Sequence, residues 1–192
     1  MAIKPILFNT EMVRAILDGR KTCTRRTLKH PFIVHPNGYI TKPRGNENLC
    51  PYDSPYQRGD ILYVRETWKN APNGYYYYEN WQRDDIADVT KWKPSIHMPK
   101  EAARIWLKVT DVRVERLQEI TEEGAKKEGA IDNRGFIHSP DNEYDSVHTA
   151  REYFTEIWDS TIKKSELDRY GWQANPWVWV ISFERCEKPE VV

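Results

Sequence analysis

The stretch that indicates the fold of this chain is Asp18-Gly19-Arg20-Lys21-Thr22-Cys23-Thr24-Arg25-Arg26. It packs four cations and three small hydroxyl or thiol side chains into nine residues. An amphipathic helix precedes it, so these groups are predicted to lie at one fixed place on a rigid element. A lysine close to a threonine can lower a reaction barrier, and two adjacent arginines can hold a phosphate or a carboxylate. The stretch therefore predicts the beginning of a functional site.

Length and charge predict one domain with a modest electrostatic field. The chain has 192 residues, of which 39% are hydrophobic, and this is enough for one good core. Lys and Arg together number 29, as do Asp and Glu, so the formal net charge is zero. An anionic partner must then be met by a local patch, with few phosphate contacts and a shallow salt dependence. This favours a small ligand or a single flipped base over a long duplex.

Cysteine usage and hydropathy predict a cytoplasmic protein. The three cysteines are widely spaced and odd in number, which fits a reducing compartment better than a disulfide framework. No signal sequence and no apolar run of membrane-spanning length is apparent, so no membrane partner is expected. The five histidines have no zinc-ligand spacing to the cysteines, and there is no glycine-rich phosphate loop. Neither a metal nor a cofactor is expected.

The first third of the chain predicts a strand, a helix and a long insertion. Residues 3–8 form a short apolar strand, and Asn9-Thr10 caps a helix whose apolar positions recur until Gly19 ends it. The stretch from 29 to 58 is rich in Pro, Gly and Asn and is predicted to be an irregular insertion, in which Pro36-Asn37-Gly38 suggests a hairpin.

The remaining two thirds predict mainly strands, interrupted by two helices. The predicted elements are a strand at 61–68, a hairpin within 69–92 around Asn73-Gly74, two strands at 103–117 with a bend at Thr110-Asp111, a short helix at 121–129 capped by Thr121, an amphipathic helix over 150–158 and a closing strand at 176–184. This order does not alternate as βαβ units must. It predicts an α+β fold, a small, partly open β-barrel flanked by short helices. One domain over 1–192 is expected, with insertions near 29–58, 69–92 and 131–147.

Several blocks of the sequence resemble the ASCH domain, a branch of the PUA-like β-barrel superfamily. Gly19-x-Lys21-x-x-x-x-Arg26 is similar to the signature Gly-x-Lys-x-x-x-x-Arg, and it follows the first helix as in the family. Residues 59–66 resemble the second barrel strand, residues 120–129 the short helix, and residues 177–184 the last strand of the family. The residues from 92 to 99 are most similar to longer ASCH-like proteins encoded by phages and prophages.

The resemblance implies two functions. PUA-like domains mostly bind RNA or modified nucleobases, which implies RNA, DNA or a modified nucleoside as the partner. One small bacterial ASCH branch is an amidohydrolase that removes the acyl group from N4-acetylcytidine. Its catalytic groups are a Lys and a Thr of the basic loop and a Glu near the end of the short helix. Residue by residue, these match Lys21, Thr24 and Glu128.

The chemistry of these residues can be judged without the family. Cleaving an amide needs a nucleophile, a proton acceptor and a donor for the developing oxyanion. Thr24 is the candidate nucleophile with Lys21 as its base, and Glu128 would orient the lysine or carry the proton. Cys23, lying among cations, is a minor alternative nucleophile. The other interpretation is structural: Lys21 and the arginines form solvated salt bridges with acids such as Glu66 and Glu128, and Thr24 is a loop hydroxyl.

The end of the strand at 61–68 predicts a base-recognition surface. Successive side chains of a strand point to opposite faces, so only one of Arg65 and Glu66 can face a cleft. Glu66 could accept from the exocyclic amine of a cytosine-like base, and Trp68, on the same face, could stack on it. A plain cross-strand ion pair is the alternative. The set predicted to bind a nucleobase or nucleic acid is Gly19, Lys21, Arg25, Arg26, Arg65, Glu66 and Trp68.

Overall fold

The computed structural model describes residues 1–29, 31–37, 39–44, 48–81, 91–132 and 148–190. Its strands are β1 (Ile3–Leu7), β2 (Cys23–Thr27), β3 (Ile33–Val34), β4 (Ile40–Arg44), β5 (Asn48–Pro51), β6 (Ile61–Arg65), β7 (Trp68–Ala71), β8 (Gly74–Tyr77), β9 (Trp106–Arg116) and β10 (Trp177–Cys186). Its α-helices are α1 (Thr10–Leu17), α2 (Glu122–Lys127), α3 (Ala150–Thr161) and α4 (Leu167–Tyr170).

The largest sheet has five strands and is mixed. Its strand order is β1-β6-β9-β10-β2, with β1 parallel to β6 and β6 antiparallel to β9. A three-stranded sheet has the order β3-β4-β5, and β7 pairs with β8. These sheets and short helices confirm the predicted α+β class. No closed barrel is found in the described residues, and none of their helices is both long and apolar enough to span a membrane.

The chain divides into two compact units, each made of segments that are distant in sequence. The first unit consists of Met1–Thr22, Tyr56–Asp111 and Ser182–Val192. The second consists of Cys23–Pro55 and Val112–Ile181. Strands β9 and β10 each contribute residues to both units.

In the first unit, Asp60 ties the start of β6 to the start of β1. Its carboxylate, which is almost fully buried, accepts hydrogen bonds from Lys4 Nζ at 2.6 Å, Ala2 N at 2.9 Å and Gln57 N at 3.0 Å. Burial alone would raise the pKa of Asp60, but the hydrogen bonds from Lys4 and the two backbone N–H groups outweigh it and hold the pKa below its ordinary value. The core of this unit contains Ile61, Tyr63, Trp68, Met98, Ala102, Ala103 and Trp106.

In the second unit, two capped helices cover an apolar core. Thr121 Oγ1 accepts from Gly124 N at 3.0 Å at the start of α2. A capping box opens α3: Thr149 Oγ1 accepts from Glu152 N at 3.1 Å, and Glu152 Oε2 accepts from Thr149 N at 2.7 Å. The buried core is formed by Leu117, Ile120, Ala125, Ala130, Ala150, Phe154, Trp158, Trp172, Val178 and Val180.

Most of the local predictions are confirmed. Asn9 caps α1 by accepting from Met12 N at 2.9 Å, and Gly19, with φ of 75°, follows its end. The predicted hairpin between β7 and β8 is found, with Ala71 opposite Gly74, so its turn lies at 72–73 and not at 73–74. Pairing of β3 with β4 brackets the hairpin predicted at 36–38. Gly38 and most of the insertion predicted at 131–147, namely 133–147, lie outside the described residues.

Three boundaries were wrong. The bend predicted at 110–111 is absent, because β9 runs unbroken over eleven residues. The basic loop is in fact partly a strand, since residues 23–27 form β2 beside β10. The strand predicted at 61–68 ends at Arg65, and β7 begins at Trp68, so alternation does not relate Glu66 to Trp68. In the first two cases pairing with a distant strand decides the conformation, and in the third β7 pairs with the adjacent β8.

Candidate functional site

Strand β2 carries three of the predicted site residues in succession. Thr24 and Arg25 are 1% and 4% exposed, whereas Arg26 is half-buried. Because side chains alternate along a strand, Thr24 and Arg26 share one face and Arg25 points to the other. The strand therefore separates the two adjacent arginines, so they do not form one continuous anion clamp.

Arg25 is held by two carboxylates within the second unit. Its Nε donates to Glu115 Oε1 at 2.9 Å and its Nη1 to Glu128 Oε1 at 3.1 Å, while the guanidinium lies 5.9 Å from the ring centroid of Phe154. Burial would lower the pKa of Arg25, but attraction to Glu128 and Glu115 outweighs it and raises the pKa above its ordinary value. Arg25 is thus held in one position, and its positive charge is balanced by the two carboxylates.

This finding changes the interpretation of Glu128. The structural alternative stated above expected a solvated salt bridge, and the Arg25–Glu128 pair has side chains that are only 2% and 6% exposed. A charge buried to this degree needs its partner, because an unpaired buried carboxylate is costly. Glu128 therefore stabilises the packing of α2 against β2, whatever else it does.

The Thr24 hydroxyl is oriented by Arg26. Arg26 Nη1 donates to Thr24 Oγ1 at 2.7 Å and to the backbone carbonyl of Arg25 at 2.9 Å. A cationic donor on the hydroxyl oxygen favours negative charge that develops there, since charge-assisted hydrogen bonds strengthen with the charge of the acceptor. The arrangement can polarise the hydroxyl, and it commits one guanidinium nitrogen of Arg26 to the protein.

Lys21 and Gly19 belong to the first unit, at the end of α1. The backbone N–H groups of Arg20 and Lys21 both donate to Ala15 O at 2.9 Å, which anchors the chain as it leaves the helix. Lys21 is 4% exposed, and its Nζ lies 5.3 Å from the ring centroid of Phe8. Gly19 makes the turn possible through its left-handed conformation. The residues that match the family signature thus include Gly19, which follows the end of α1, and Lys21, whose side chain is buried.

Glu66, also in the first unit, has a partner that the sequence did not indicate. Its carboxylate is 1% exposed and accepts from Arg104, from Nε at 2.9 Å and from Nη2 at 2.8 Å. Arg104 also reaches Glu79 and lies 4.3 Å from the ring centroid of Tyr77. Burial would lower the pKa of Arg104, but its hydrogen bonds to Glu66 outweigh this and raise it. Glu66 is therefore an oriented carboxylate.

Two residues predicted for base recognition keep a buried N–H without an acceptor. Among the described residues, nothing accepts from Arg65 Nε, Trp68 Nε1 or Trp92 Nε1. Arg65 is otherwise engaged, because its Nη1 donates to Ile96 O at 3.2 Å. The Trp68 ring packs edge-on against Tyr75, with centroids 5.8 Å apart. Buried donors are seldom left unpaired, so each such atom needs a specific explanation, and an acceptor on a bound ligand is one.

The predicted residues therefore fall into two groups. The second unit brings together Thr24, Arg25, Arg26 and Glu128, and the first unit contains Gly19, Lys21, Arg65, Glu66 and Trp68. Sequence reasoning missed Glu115 and Arg104, which pair with Arg25 and Glu66 across 90 and 38 residues. No local pattern marks either residue. Within the described ranges, no group of three or more His, Cys, Asp or Glu side chains is placed to hold a metal ion.

Comparison of the chain with models of protein families, with curated proteins and with solved structures finds no match.

Proposed function

We propose that this chain is an ASCH-type protein with a PUA-like fold, encoded by a phage or prophage and cytoplasmic, which binds a modified nucleobase or nucleic acid. The proposal takes its fold from the resemblance of residues 19–26, 59–66, 120–129 and 177–184 to that family. It takes its binding surface from Arg65, Glu66 and Trp68 in the first unit. Recognition of a single base is favoured over a long duplex because the net charge is zero.

The observation that supports the proposal most directly is the pair of buried donors. Arg65 Nε and Trp68 Nε1 have no acceptor among the described residues. A pyrimidine presents carbonyl oxygens and a ring nitrogen that accept hydrogen bonds on its Watson–Crick edge. These N–H groups are already removed from water in the free protein. A ligand that accepts from them therefore gains hydrogen bonds without a further cost of removing the donors from water.

Glu66 supplies the complementary acceptor. Arg104 donates to both of its oxygens, yet an ionised carboxylate can accept about four hydrogen bonds. The remaining lone pairs can accept from an exocyclic amine, and Arg104 fixes the plane in which they point. A surface with both donors and an acceptor suits a base that has both carbonyl and amino groups.

Ligand titration tests this proposal. Cytidine, N4-acetylcytidine and short single-stranded RNA and DNA are titrated by calorimetry, and at least one is expected to bind saturably. Trp68→Phe keeps an aromatic ring, although a smaller one, and removes the donor, so it should weaken binding about fivefold. Trp158→Phe is the matched control, because Trp158 Nε1 donates to Tyr170 O at 2.8 Å. Equal affinity for wild type, Trp68→Phe and Arg65→Lys would overturn the assigned surface.

A second candidate function is amide hydrolysis on N4-acylated cytidine, with Thr24 as the nucleophile and Glu128, in the same unit, as the group that carries the proton. One observation favours it: Thr24 and Glu128, both in the second unit, are only 1% and 5% exposed. Burial strengthens the electrostatic interactions on which general base and nucleophilic catalysis depend. The hydrogen bond from Arg26 to the Thr24 hydroxyl adds a group that stabilises charge on the attacking oxygen.

Following cytidine release from N4-acetylcytidine by chromatography tests this second function. Wild type should release cytidine and acetate, and Thr24→Ala should lose nearly all turnover. Thr22→Ala is the matched control, since Thr22 lies in the same stretch but is exposed. Absence of release by wild type above the blank would exclude this substrate, and equal turnover by Thr24→Ala would exclude the nucleophile.

A further inference from the structure

The second unit contains a cleft that none of the predicted site residues lines. Its volume is about 430 Å³, and its walls include Leu28, Phe32, Arg116, Arg169, Pro176 and Trp177. They come from the residues after β2, the end of β9, helix α4 and the start of β10. The volume lies within the range of about 300–1,000 Å³ that small-ligand sites occupy.

The charged side chains that line the cleft are all positive, as expected of a site that binds anions. It includes two arginines and no carboxylate. Elsewhere, Arg25 and Arg104 are each held by two carboxylates. By contrast, neither Arg116 nor Arg169 forms a salt bridge with a carboxylate among the residues that the structure describes. The two guanidinium groups make the cleft lining basic although the whole chain has zero net charge, and the carboxylate of Glu119 accepts from the backbone N–H of Arg116 at 2.9 Å.

The cleft also has stacking surfaces, and one of them is an arginine. The guanidinium carbon of Arg116 lies 4.5 Å from the ring centroid of Trp177, and its Nη1 donates to Asn175 O at 3.0 Å. These contacts hold the guanidinium plane in one orientation, and a fixed guanidinium plane can itself stack on a base. Phe32, which is only half-buried, offers a second aromatic ring.

We propose that this cleft binds a nucleoside phosphate, with the base against Phe32, Trp177 and Arg116 and the phosphate on Arg169. Arginine suits the phosphate because its fork of N–H groups can donate two parallel hydrogen bonds to it. Arg169 is exposed and lies 5.4 Å from the ring of Tyr170, so its guanidinium can reach a ligand at the cleft mouth. The site is independent of the base-recognition surface in the first unit.

Phosphate-dependent binding is the test. Cytidine, uridine, adenosine and their 5′-monophosphates are titrated at low salt, together with inorganic phosphate alone. At least one monophosphate should bind about tenfold more tightly than its nucleoside, and its affinity should fall as salt is added. Arg169→Gln should lose about tenfold in affinity for it. Arg58→Gln, a change of another exposed arginine, should have no effect.

A fold defect cannot mimic the expected result, because Arg169 is on the surface. Arg116→Lys adds a second measurement: it keeps the charge, loses the planar fork and should also weaken monophosphate binding. Equal binding of nucleoside and monophosphate, or unchanged affinity in both arginine variants, would overturn the proposal. The base-recognition surface is judged by the affinity for unphosphorylated nucleosides, and this cleft by the gain in affinity that the phosphate gives. Failure of this site and failure of the proposed base-recognition surface can therefore be told apart.

The same titration identifies the source of the ligand. A 5′-phosphorylated single-stranded oligonucleotide is compared with the free monophosphate, and both are tested for competition. Tighter binding of the oligonucleotide would assign the cleft to a nucleic-acid end, and tighter binding of the monophosphate would assign it to the free nucleotide. Either result supports the site, and absence of saturable binding by both probes overturns it.

Discussion

Replacing Arg25 with methionine tests whether the buried ion pairs on β2 stabilise the second unit. The Arg25 side chain is 2% exposed, and its removal would take its cation from the carboxylate of Glu128, 6% exposed, and one of two cations from Glu115, which also pairs with Arg113 at 3.3 Å. Breaking a buried pair by removing one partner typically costs about 3–5 kcal/mol. Because Glu128 loses its buried cation while Glu115 keeps Arg113, we expect Arg25→Met to lower the free energy of unfolding by about 3 kcal/mol.

The measurement is urea unfolding at constant pH, followed by circular dichroism and tryptophan fluorescence. Lys127→Met is the control, because Lys127 forms an exposed pair with Glu123 at 3.9 Å, with side chains 57% and 69% exposed. Such a pair contributes about 0.3–0.5 kcal/mol. If Arg25→Met costs no more than Lys127→Met, the two carboxylates do not depend on Arg25 and the reasoning fails.

A double-mutant cycle separates the pair from the packing. Glu128→Gln alone should cost about 2 kcal/mol, because the side chain keeps an acceptor oxygen for Arg25 but loses the negative charge that strengthens this hydrogen bond. In Arg25→Met with Glu128→Gln, the charge of Glu128 is absent and only Glu115 remains, so the combined loss should be smaller than the sum of the two single losses by about 1–3 kcal/mol. Additive losses would show that Arg25 and Glu128 do not interact.

Three further predictions concern stability. Asp60→Asn should destabilise the protein by about 2 kcal/mol at neutral pH. The pKa of Asp60 is lower in the folded state than in the unfolded state, so its contribution to the free energy of unfolding is present above the unfolded pKa of about 3.9 and is lost as pH falls through the lower folded pKa. Urea unfolding at several pH values should show that the difference in stability between wild type and variant becomes smaller in acid. Thr149→Ala should cost about 1 kcal/mol and Thr149→Ser much less, because only the first loses the cap of α3; thermal unfolding that gave equal losses would contradict the capping role. Gly171→Ala should cost about 2 kcal/mol, because the new Cβ would lie 2.6 Å from the backbone oxygen of Leu167, and an unchanged unfolding midpoint would contradict it.

Local features, which depend on residues no more than three or four positions apart, could be predicted from the sequence. Asn9 and Thr121 cap their helices through hydrogen bonds to residues three positions later, and Asn73-Gly74 marks the hairpin between β7 and β8. Each depends on the chemistry of adjacent residues alone. The closing strand was predicted for the same reason, because residues 177–184 are rich in β-branched and aromatic side chains.

Features that depend on distant partners could not be predicted. The stretch at 23–27 looked like a loop because it is polar and basic, and it is a strand because it lies beside β10. The environment of Arg25 depends on Glu115, 90 residues away, and that of Glu66 on Arg104, 38 residues away. The cleft at Arg116, Arg169 and Trp177 has no sequence motif, because its lining residues come from separate segments.

The interleaving of the two units has a consequence for the order in which the protein can fold during synthesis. The first unit needs residues 182–190, although its strands β1 and β6 are complete by residue 65. At about 5–20 residues per second, more than a hundred further residues emerge over several seconds before this last segment is available. All segments of the second unit have by then been translated. On a ribosome, the unit whose synthesis begins first is thus completed last, so the apolar strands β1 and β6 are made well before the final segment of their unit.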